Sequence, residues 1–412
     1  MTFTDENYAK RLLLHKQSER LAVHSFHRYF GKLIPGIPAF AISEFTKPGD
    51  TVLDPFSGSG TTLVEARELG RKGIGVDINP LACFISKVKT THINQEHLAS
   101  LLEPLIQDLG APSELVADDD PYVVNMDHWF RAEVKQQLLM LRKRINAIAN
   151  QNDRDFFLGV FSAFIRTVSN ADPQHVFPGY SKRMRRLDEE GRLIDVAKSF
   201  QRAANRRIKQ VATLTESAPE TRIFNGQLKE LKLRKSSVDL VVTNPPYISS
   251  IRYLETMKIE MGWLDFIKSQ RHYLDMDRTV IGTERFYKDD LGNISATGIT
   301  RLDDQISALK DKNPKMAKVV HDYFVNMREV FTELSRVIKP GGTLVIKISE
   351  SKVRSELIPT HLYFLDICKK SGFTLVSDIV DDYDSSSRSL LTARNSYSGL
   401  MTQDHILILR RD

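Results

Sequence analysis

The sequence of residues 51–62 is TVLDPFSGSGTT, an apolar segment that runs into a glycine-rich turn. We predict a buried strand over residues 51–56. We also predict a helix over Thr61–Leu69, because the apolar residues of that segment fall on one helix face. A second apolar segment, KGIGVDI at residues 72–78, predicts the next strand, and Asn79–Val88 predict a helix with a proline in its first turn. Strand, glycine turn, helix and strand in this order form the repeating unit of a parallel α/β sheet.

Five more strands are predicted further along the chain. They are Thr221–Phe224, Val238–Thr243, residues 343–348 after a Pro-Gly-Gly turn, Phe373–Ile379 and His405–Leu409. Val238–Thr243 is largely apolar, as a central parallel strand is, and the last two strands are expected to form an antiparallel edge. The sequence therefore predicts an α/β fold with a doubly wound, mostly parallel, Rossmann-like sheet of seven strands. Ligands are expected beyond the carboxyl ends of these strands.

Two stretches interrupt this alternation. Residues 98–218 are mostly helical in pattern, and residues 249–334 mix aromatic, basic and glycine-containing turns. We interpret both as insertions into one core, which leaves residues 1–97, 219–248 and 335–412 as the pieces of that core. Residues 384–388, DSSSR, are predicted to form a mobile loop.

Basic residues are concentrated in the first insertion. Residues 131–210 contain seventeen Lys or Arg against eight Asp or Glu, while the whole chain has a net charge of +6. Clusters at residues 142–144, 182–186 and 206–207 could neutralise phosphates, although charged helices also carry such clusters as solvated faces. The concentration in one segment favours a nucleic acid as partner.

Composition excludes several classes of protein. No run of about 18 apolar residues is present, so no membrane partner is expected, and the first residues lack the apolar core of a signal peptide. Two cysteines cannot build a disulfide framework, and no cysteine–histidine spacing suggests a metal site. We therefore expect a cytoplasmic protein without a resident metal.

The glycine turn has the features of an anion- and nucleoside-binding loop. Gly58 and Gly60 allow a tight turn and a close approach of backbone N–H groups to a ligand. The helix that begins near Thr61 directs its positive end to the same place, which suits a carboxylate. Asp54 could bind an ammonium group there, directly or through water. Asp77, about 20 residues further on at the end of the second strand, is placed to accept hydrogen bonds from two ribose hydroxyls.

The second motif is TNPPY, residues 243–247. An exocyclic amino group on a base is a poor nucleophile, because its lone pair is delocalised into the ring. Hydrogen bonds from both amino protons to fixed acceptors favour a pyramidal nitrogen that can attack a methyl group. The side-chain oxygen of Asn244 and the carbonyl of Pro245 are the two acceptors, and Pro246 helps to preset them. Tyr247 can stack on a base that has rotated out of the helix.

Together the two motifs resemble those of S-adenosylmethionine-dependent DNA amino-methyltransferases, which act on adenine N6 or cytosine N4. The resemblance implies a class I methyltransferase fold, S-adenosyl-L-methionine as cofactor, and catalytic roles for Asn244, Pro245, Pro246 and Tyr247. It also implies a double-stranded DNA substrate and a restriction-modification or related system, in which a cognate restriction endonuclease is a candidate partner. Asn244 favours adenine slightly, because cytosine-N4 enzymes more often have serine there. The cofactor-binding residues expected from the resemblance are Tyr29, Phe30, Asp54, Pro55, Phe56, Gly58, Gly60, Thr61, Asp77, Ile78, Asn225 and Gly226.

Other functions remain open at this point. Protein-glutamine methyltransferases also carry NPPY, and some RNA methyltransferases share the glycine loop, while a non-catalytic DNA-binding module would show similar charge. A cytosine-C5 enzyme needs a reactive thiolate, conventionally after a proline, and neither Cys83 nor Cys368 follows one. Arg252, Tyr253, Arg271, His272 and Tyr273 in the second insertion are candidates for reading bases. The sequence gives neither the recognition site nor the oligomeric state.

Overall fold

The computed structural model describes residues 5–17, 21–109, 120–248, 252–353, 356–382 and 403–412 of the 412-residue chain. Residues 384–388, for which the sequence predicts a mobile loop, lie outside these ranges, as does the start of the second predicted insertion. The strands are β1 (Thr51–Asp54), β2 (Lys72–Asp77), β3 (Thr221–Asn225), β4 (Val238–Thr243), β5 (Ile338–Ser349), β6 (Ser351–Val353), β7 (Glu356–Ile358), β8 (Phe373–Asp382) and β9 (Gln403–Arg411).

A seven-stranded sheet forms the centre of the fold, in the order β3-β2-β1-β4-β5-β9-β8. The first five strands in this order are parallel, and β9 runs antiparallel to both β5 and β8. The predicted doubly wound, mostly parallel sheet with an antiparallel edge is therefore confirmed, and with it the class I methyltransferase fold. β6 and β7 form a separate small sheet.

Helices connect the strands and cover the sheet. They are α1 (Asp5–Gln17), α2 (Gly36–Phe45), α3 (Thr61–Glu68), α4 (Pro80–Lys89), α5 (Gln95–Ile106), α6 (Met126–Trp129), α7 (Ala132–Asn146), α8 (Gln151–Phe164), α9 (Lys182–Glu189), α10 (Val196–Val211), α11 (Tyr253–Thr256), α12 (Lys258–Trp263), α13 (Gln270–Arg278), α14 (Thr300–Lys312), α15 (Pro314–Val337) and α16 (Thr360–Lys370). Within the described ranges, no helix is both long and apolar enough to cross a membrane.

The central strands bury both of their faces. In β4, Val241 packs with the apolar residues of α14, α15 and α16, whereas Leu240 and Val242 pack with those of α1 and α2. Side chains alternate between the two faces of a strand, so a strand covered on both sides must be apolar at almost every position. This explains why the middle of β4, residues 240–242, is apolar at every position.

Helices α5 to α8 and α10 share a second apolar core, which also includes Val64 of α3 and Val88 of α4. Its centre is a group of buried aromatic residues on α8 and α10, which also contacts Trp263 of α12. The helical character predicted for residues 98–218 agrees with these elements. α15 runs through residue 334, the predicted end of the second insertion, and it packs against the sheet. The proposed division into insertions and core stays a prediction.

β5 begins five residues before its predicted start. Val238 pairs with Ile338 and Leu240 pairs with Thr343, so residues 339–342 bulge out of the ladder between these two pairs. Gly341 has a φ of 75°, which lets the Pro-Gly-Gly segment turn inside the strand. The sequence marked the turn, but it could not show that pairing resumes on both sides of it.

Candidate active site

The predicted site residues meet at one edge of the sheet. Asp54, Asp77 and Asn225 end the neighbouring strands β1, β2 and β3, and Asn244 follows the last residue of β4. The carboxyl ends of parallel strands lie on the same side of a sheet, where ligands bind in folds of this kind. The topology therefore brings together side chains that are up to 190 positions apart in the sequence.

A cavity of about 110 Å³ opens at this edge. Nine of the predicted residues line it. They are Tyr29, Pro55, Phe56, Gly58, Asp77, Ile78, Gly226, Asn244 and Pro246. Tyr253, a candidate for reading bases, also lines it. Residues that the sequence did not single out complete the wall: Gly31, Asn79, Gln227, Leu228, Leu254, Thr279, Val280, Ile281 and Val330.

Asp54 is buried under the glycine loop and is not part of the cavity wall. Its carboxylate accepts hydrogen bonds from the hydroxyls of Thr62 (2.8 Å) and Thr243 (2.9 Å) and from the backbone N–H of Phe56 (3.1 Å). Burial raises the pKa of this carboxyl to about 6. Asp54 thus ties β1, α3 and β4 together, while its predicted contact with an ammonium group stays a prediction.

The two glycines of the loop serve different purposes. Gly58, with a φ of 48°, faces Tyr29, and a Cβ at this position would lie 3.1 Å from the tyrosine ring. Gly60, with a φ of 77°, caps α3, and a Cβ there would lie 2.6 Å from the Ser86 hydroxyl. Gly58 therefore borders the cavity, whereas Gly60 lets α3 approach α4.

A buried lysine supports the loop from behind. The ammonium of Lys89 is fully buried and donates a hydrogen bond of 2.7 Å to the carbonyl of Ser59. Burial, followed by the nearby Lys32, holds the pKa of Lys89 well below its usual range. The sequence gives no signal for this contact, because Lys89 lies 30 positions from its partner at the end of a helix.

Asp77 presents a carboxylate to the cavity. One oxygen accepts the N–H of Gly58 at 2.8 Å, and the other accepts the N–H of Asn79 at 2.9 Å. Each oxygen of an ionised carboxylate has two acceptor sites, so each can take one more hydrogen bond from a ligand. Burial raises the pKa of Asp77 to about 6.

Two aromatic rings close the cavity beside Asp77. Tyr29 and Tyr253 lie nearly parallel, with centroids 6.4 Å apart and an interplanar angle of 16°. Burial raises the pKa of both phenols, so both hydroxyls are neutral at physiological pH. The N-terminal segment and the second predicted insertion thus contribute one ring each to the same wall.

The turn after β3 is held against the end of β2. The amide of Asn225 donates hydrogen bonds of 3.0 Å to the carbonyls of Asp77 and Ile78, and the N–H of Gly226 donates to the carbonyl of Asp77. Gly226 and the next two residues line the cavity, but Asn225 does not. Asn225 therefore shapes this part of the wall through the hydrogen bonds of its side-chain amide to backbone carbonyls.

Hydrogen bonds to distant residues, together with one inside the loop, hold the NPPY loop in place. The amide N–H of Asn244 donates to the carbonyl of Gly31 at 3.0 Å, and its side-chain oxygen accepts the hydroxyl of Tyr247 at 3.1 Å. The hydroxyl of the buried Tyr323 donates to the carbonyl of Pro246 at 2.9 Å. Contacts within the protein therefore anchor the loop at both of its ends.

A second cavity of about 500 Å³ lies on the far side of the loop. Pro246 and Tyr247 line it from the loop, and Phe177 lines it from the first predicted insertion. The remaining lining residues come from the second predicted insertion and the start of α15, namely Arg252, Tyr253, Asp277, residues 280–285 and Lys315. Pro246, Tyr253, Val280 and Ile281 border both cavities.

The remaining predicted residues lie outside both cavities. Phe30 packs under the guanidinium of Arg28, 4.6 Å from the ring centroid. Thr61 is buried as the first residue of α3, and Pro245 is buried within the loop. Like those of Asp54, Gly60 and Asn225, their predicted ligand contacts stay predictions.

The candidate base-reading residues separate into two groups. Arg252 and Tyr253 line the second cavity, whereas Tyr273 is buried at 7% exposure and lines a different one. The side chain of Arg271 is 93% exposed and His272 is also exposed. Geometry thus keeps Arg252 and Tyr253 near the catalytic loop and places the other three elsewhere.

The basic first insertion contains both partnered and exposed cations. Arg183 pairs with Asp172 at 2.6 Å, and Arg131 pairs with Asp188 at 2.8 Å. Along α10, four exposed cations recur at spacings of four, four and three residues, which places them on one helix face: Lys198, Arg202, Arg206 and Lys209. We call this face the α10 basic stripe.

The lining of the first cavity has the chemistry that a nucleoside cofactor requires, although its volume of about 110 Å³ is below the usual range for small-ligand sites. Its wall combines an acceptor carboxylate at a strand end, aromatic and aliphatic surface, and a glycine loop that leads into a helix N-terminus. In the parts of the chain that the structure describes, no group of three or more His, Cys, Asp or Glu is arranged to hold a metal ion.

Known proteins that are similar to this chain include type II methyltransferases. A type II methyltransferase from Kocuria varians, M.MvaI, is 26% identical over 94% of this chain and 90% of its own length. Another from Geobacillus stearothermophilus, M.BsoBI, is 22% identical over 89% of this chain and 82% of its own length. A Thermus thermophilus protein, described as a DNA modification methylase and solved with S-adenosyl-L-methionine, is 17% identical over 44% of this chain and 48% of its own, with a TM-score of 0.21.

A family model for DNA methylases, the N6/N4 methyltransferases, matches residues 15–88 and 238–405. These two stretches make up more than half of the chain. They include both the glycine loop and the NPPY loop, and they extend through the whole of the second predicted insertion. The methyl donor of this family is S-adenosyl-L-methionine, the cofactor that the motifs predict. The chain belongs to the N6/N4 DNA methylase family.

Proposed function

We propose that this DNA methylase transfers a methyl group from S-adenosyl-L-methionine to an exocyclic amino nitrogen of one base in a specific DNA sequence. The observation that carries the proposal is the position of the NPPY loop between two cavities. Asn244 lines the cavity beside Asp77, Tyr247 lines the larger cavity, and Pro246 borders both. Donor and acceptor can therefore meet at this loop.

The first cavity is the proposed cofactor site. The cofactor supplies an electrophilic methyl group on a sulfonium. Asp77 would accept hydrogen bonds from the ribose, Gly226 would border the adenine, and the glycine loop with the N-terminal end of α3 would hold the methionyl part. Tyr29 covers the loop at Gly58, where a Cβ would come within 3.1 Å of the ring.

The second cavity is the proposed site of the flipped base. Its volume of about 500 Å³ falls in the usual range for small-ligand sites. The ring of Tyr247 offers a stacking surface, and Arg252 and Tyr253 offer polar groups. The sequence favours adenine N6 slightly over cytosine N4 as the target.

The NPPY loop orients the amino group. The side-chain oxygen of Asn244 and the carbonyl of Pro245 accept its two protons, which turns the nitrogen lone pair toward the methyl group. The two prolines and the contact of Tyr323 with Pro246 hold these acceptors in place. Transfer would then be an in-line displacement driven mainly by orientation, in which the N–C bond forms as the S–C bond of the sulfonium breaks and S-adenosylhomocysteine leaves. The proton would pass to solvent afterwards.

Two further features support a DNA duplex as substrate. The α10 basic stripe supplies clustered positive charge, and the similarity to the type II methyltransferases extends over nearly the whole chain. We propose a restriction-modification or related system as the context of this protein, with a cognate restriction endonuclease as a candidate partner.

A labelled-methyl transfer assay with three acceptors tests the substrate class. Cofactor with a radiolabelled methyl group is supplied together with duplex DNA of mixed sequence, with total RNA, or with total protein. The proposal expects label in the DNA and background levels in the other two acceptors. Label in RNA or protein alone would reassign the substrate, and DNA binding without any transfer would favour a binding module.

A further inference from the structure

A chain of polar side chains runs from β9 to the catalytic loop. The carboxylate of Asp404 pairs with the ammonium of Lys347 at 2.8 Å, and this ammonium donates to the hydroxyl of Tyr247 at 2.7 Å. The Tyr247 hydroxyl donates in turn to the side-chain oxygen of Asn244 at 3.1 Å. Ser349 adds a contact of 3.4 Å to the same tyrosine hydroxyl and a hydrogen bond to Asp404.

The direction of this chain follows from which groups can accept. An ammonium has donors only, so the Tyr247 oxygen must accept from Lys347, and its own proton is left to donate to Asn244. At the other end of the amide, the Gly31 carbonyl can only accept, so it must receive the N–H of Asn244. Lys347 and Gly31 together fix which end of the Asn244 amide is oxygen.

The sheet builds this arrangement from two neighbouring strands. Ser349 of β5 is directly opposite Asp404 of β9, and Lys347 is two residues before Ser349, so all three side chains share one face. Asp404 is 4% exposed and the Lys347 side chain is 13% exposed. Among the apolar residues of these strands, an ion pair at this depth costs desolvation, which suggests a role other than stability.

We propose that the Tyr247 hydroxyl and Lys347 are positioning residues for Asn244. They hold the amide oxygen toward the target amino group and leave one of its lone pairs for the amino proton. The inference rests on the proposed function, and it gives the Tyr247 hydroxyl a task that base stacking alone does not. Stacking alone would predict a mild effect for Tyr247→Phe, whereas the hydrogen bonds predict a clear loss of rate.

Single-turnover methyl transfer on one methylatable duplex tests the proposal. Tyr247→Phe is expected to lower the transfer rate about tenfold while changing the cofactor Kd and the DNA Kd less than about twofold. The ring is retained, so stacking should persist. Tyr363→Phe is the matched control, because its hydroxyl bonds to Gln305 away from both cavities, and it should transfer at the wild-type rate.

A double-mutant cycle separates positioning from a general structural effect. Lys347→Met is combined with Asp404→Asn, so that no buried carboxylate is left without its cation. This pair should also slow transfer about tenfold, and adding Tyr247→Phe should cause no further loss, because both changes remove the same contact. Lys339→Met, which breaks a surface ion pair with Asp239 at the opposite end of β5, should have no effect.

The outcomes separate this inference from the proposed function. If the wild-type protein transfers methyl groups and Tyr247→Phe does so at the same rate, the inference is overturned and the proposed function stands. Losses that multiply to about a hundredfold would mean that Lys347 acts independently of Tyr247, which would also overturn it. A wild-type protein that binds cofactor and transfers nothing would overturn the proposed function and the inference together. Cofactor calorimetry on each variant confirms that it is folded.

Discussion

The glycine loop and the NPPY loop lie side by side at the same sheet edge, but they are held in different ways. Most contacts of the glycine loop are local: Asp54 bonds to residues two and eight positions away, and Gly58 bonds to Asp77, 19 positions away. Asp54 also accepts one long-range hydrogen bond, from Thr243 at 189 positions. The NPPY loop instead depends on Gly31, Lys347 and Tyr323, which lie 213, 100 and 77 positions from their partners.

This difference matches the two tasks. A glycine loop and a helix N-terminus bind a cofactor largely through backbone groups, which a short sequence can encode. The proposed function requires the NPPY loop to orient side-chain and carbonyl acceptors toward a base that enters from outside, and such orientation needs support from the packed residues around the loop. We therefore expect mutations in the two loops to affect separate quantities, namely cofactor affinity and transfer rate.

The largest expected effect, and the clearest test of the difference between the two loops, is that of Asn244→Ala. Loss of the side-chain acceptor should lower the single-turnover transfer rate about a thousandfold, by analogy with the loss of one preorganised hydrogen-bonding group at an active site. Cofactor affinity measured by calorimetry should change less than about twofold, because Asn244 acts on the amino group. A matching loss of cofactor affinity would contradict the separation of the two loops.

Asp77→Ala should produce the converse effect. Two hydrogen bonds to a charged acceptor are lost, so cofactor affinity should fall about a hundredfold. At saturating cofactor the transfer rate should return to near the wild-type value. Glu65→Gln, at a residue that pairs with His24 behind the loop, serves as the acidic control. Unchanged affinity in Asp77→Ala would remove this residue from the site.

Cofactor affinity should also depend on pH. The pKa of Asp77 is raised to about 6 by burial, so the carboxylate is present above pH 6 and becomes protonated below it. Protonation takes away a site on the Asp77 carboxylate that can accept a hydrogen bond from the ribose. The affinity for the cofactor should therefore fall about tenfold between pH 7 and pH 5. Calorimetry across this range checks it, and Asp77→Asn should bind weakly with a flat profile. An equally steep profile in Asp77→Asn would assign the titration to another group, of which Asp54 is the nearest candidate.

The smallest effect is expected from the α10 basic stripe, which belongs to neither loop. If Arg202 and Arg206 each neutralise one phosphate, the double change to Ala should reduce the slope of log Kd against log salt by about 1.8. Removing Lys72 and Lys339, which are exposed near the starts of β2 and β5, is the matched control. Fluorescence anisotropy with a labelled duplex measures both slopes, and equal slopes would exclude the stripe from the interface.

The sequence predicted the sheet and the local half of the site because both are encoded in contiguous residues. Asp77 and Gly58 could be placed from strand ends and glycine spacing alone. The contacts of Gly31 and Lys347 with the NPPY loop could not, since each joins segments 100 or more positions apart. Lys347 in particular looks like an ordinary strand residue until β9 brings Asp404 beside it.

Methylation of an exocyclic amino nitrogen at specific DNA sites is the activity on which both proposals depend. Methylation-sensitive sequencing of DNA from a host that expresses the chain, followed by nucleoside mass spectrometry, tests it most directly. We predict N6-methyladenine or N4-methylcytosine in one recurring sequence context, present with the wild-type protein and absent with Asn244→Ala. Unmodified DNA, C5-methylcytosine, or the same modification in the Asn244→Ala host would contradict this activity.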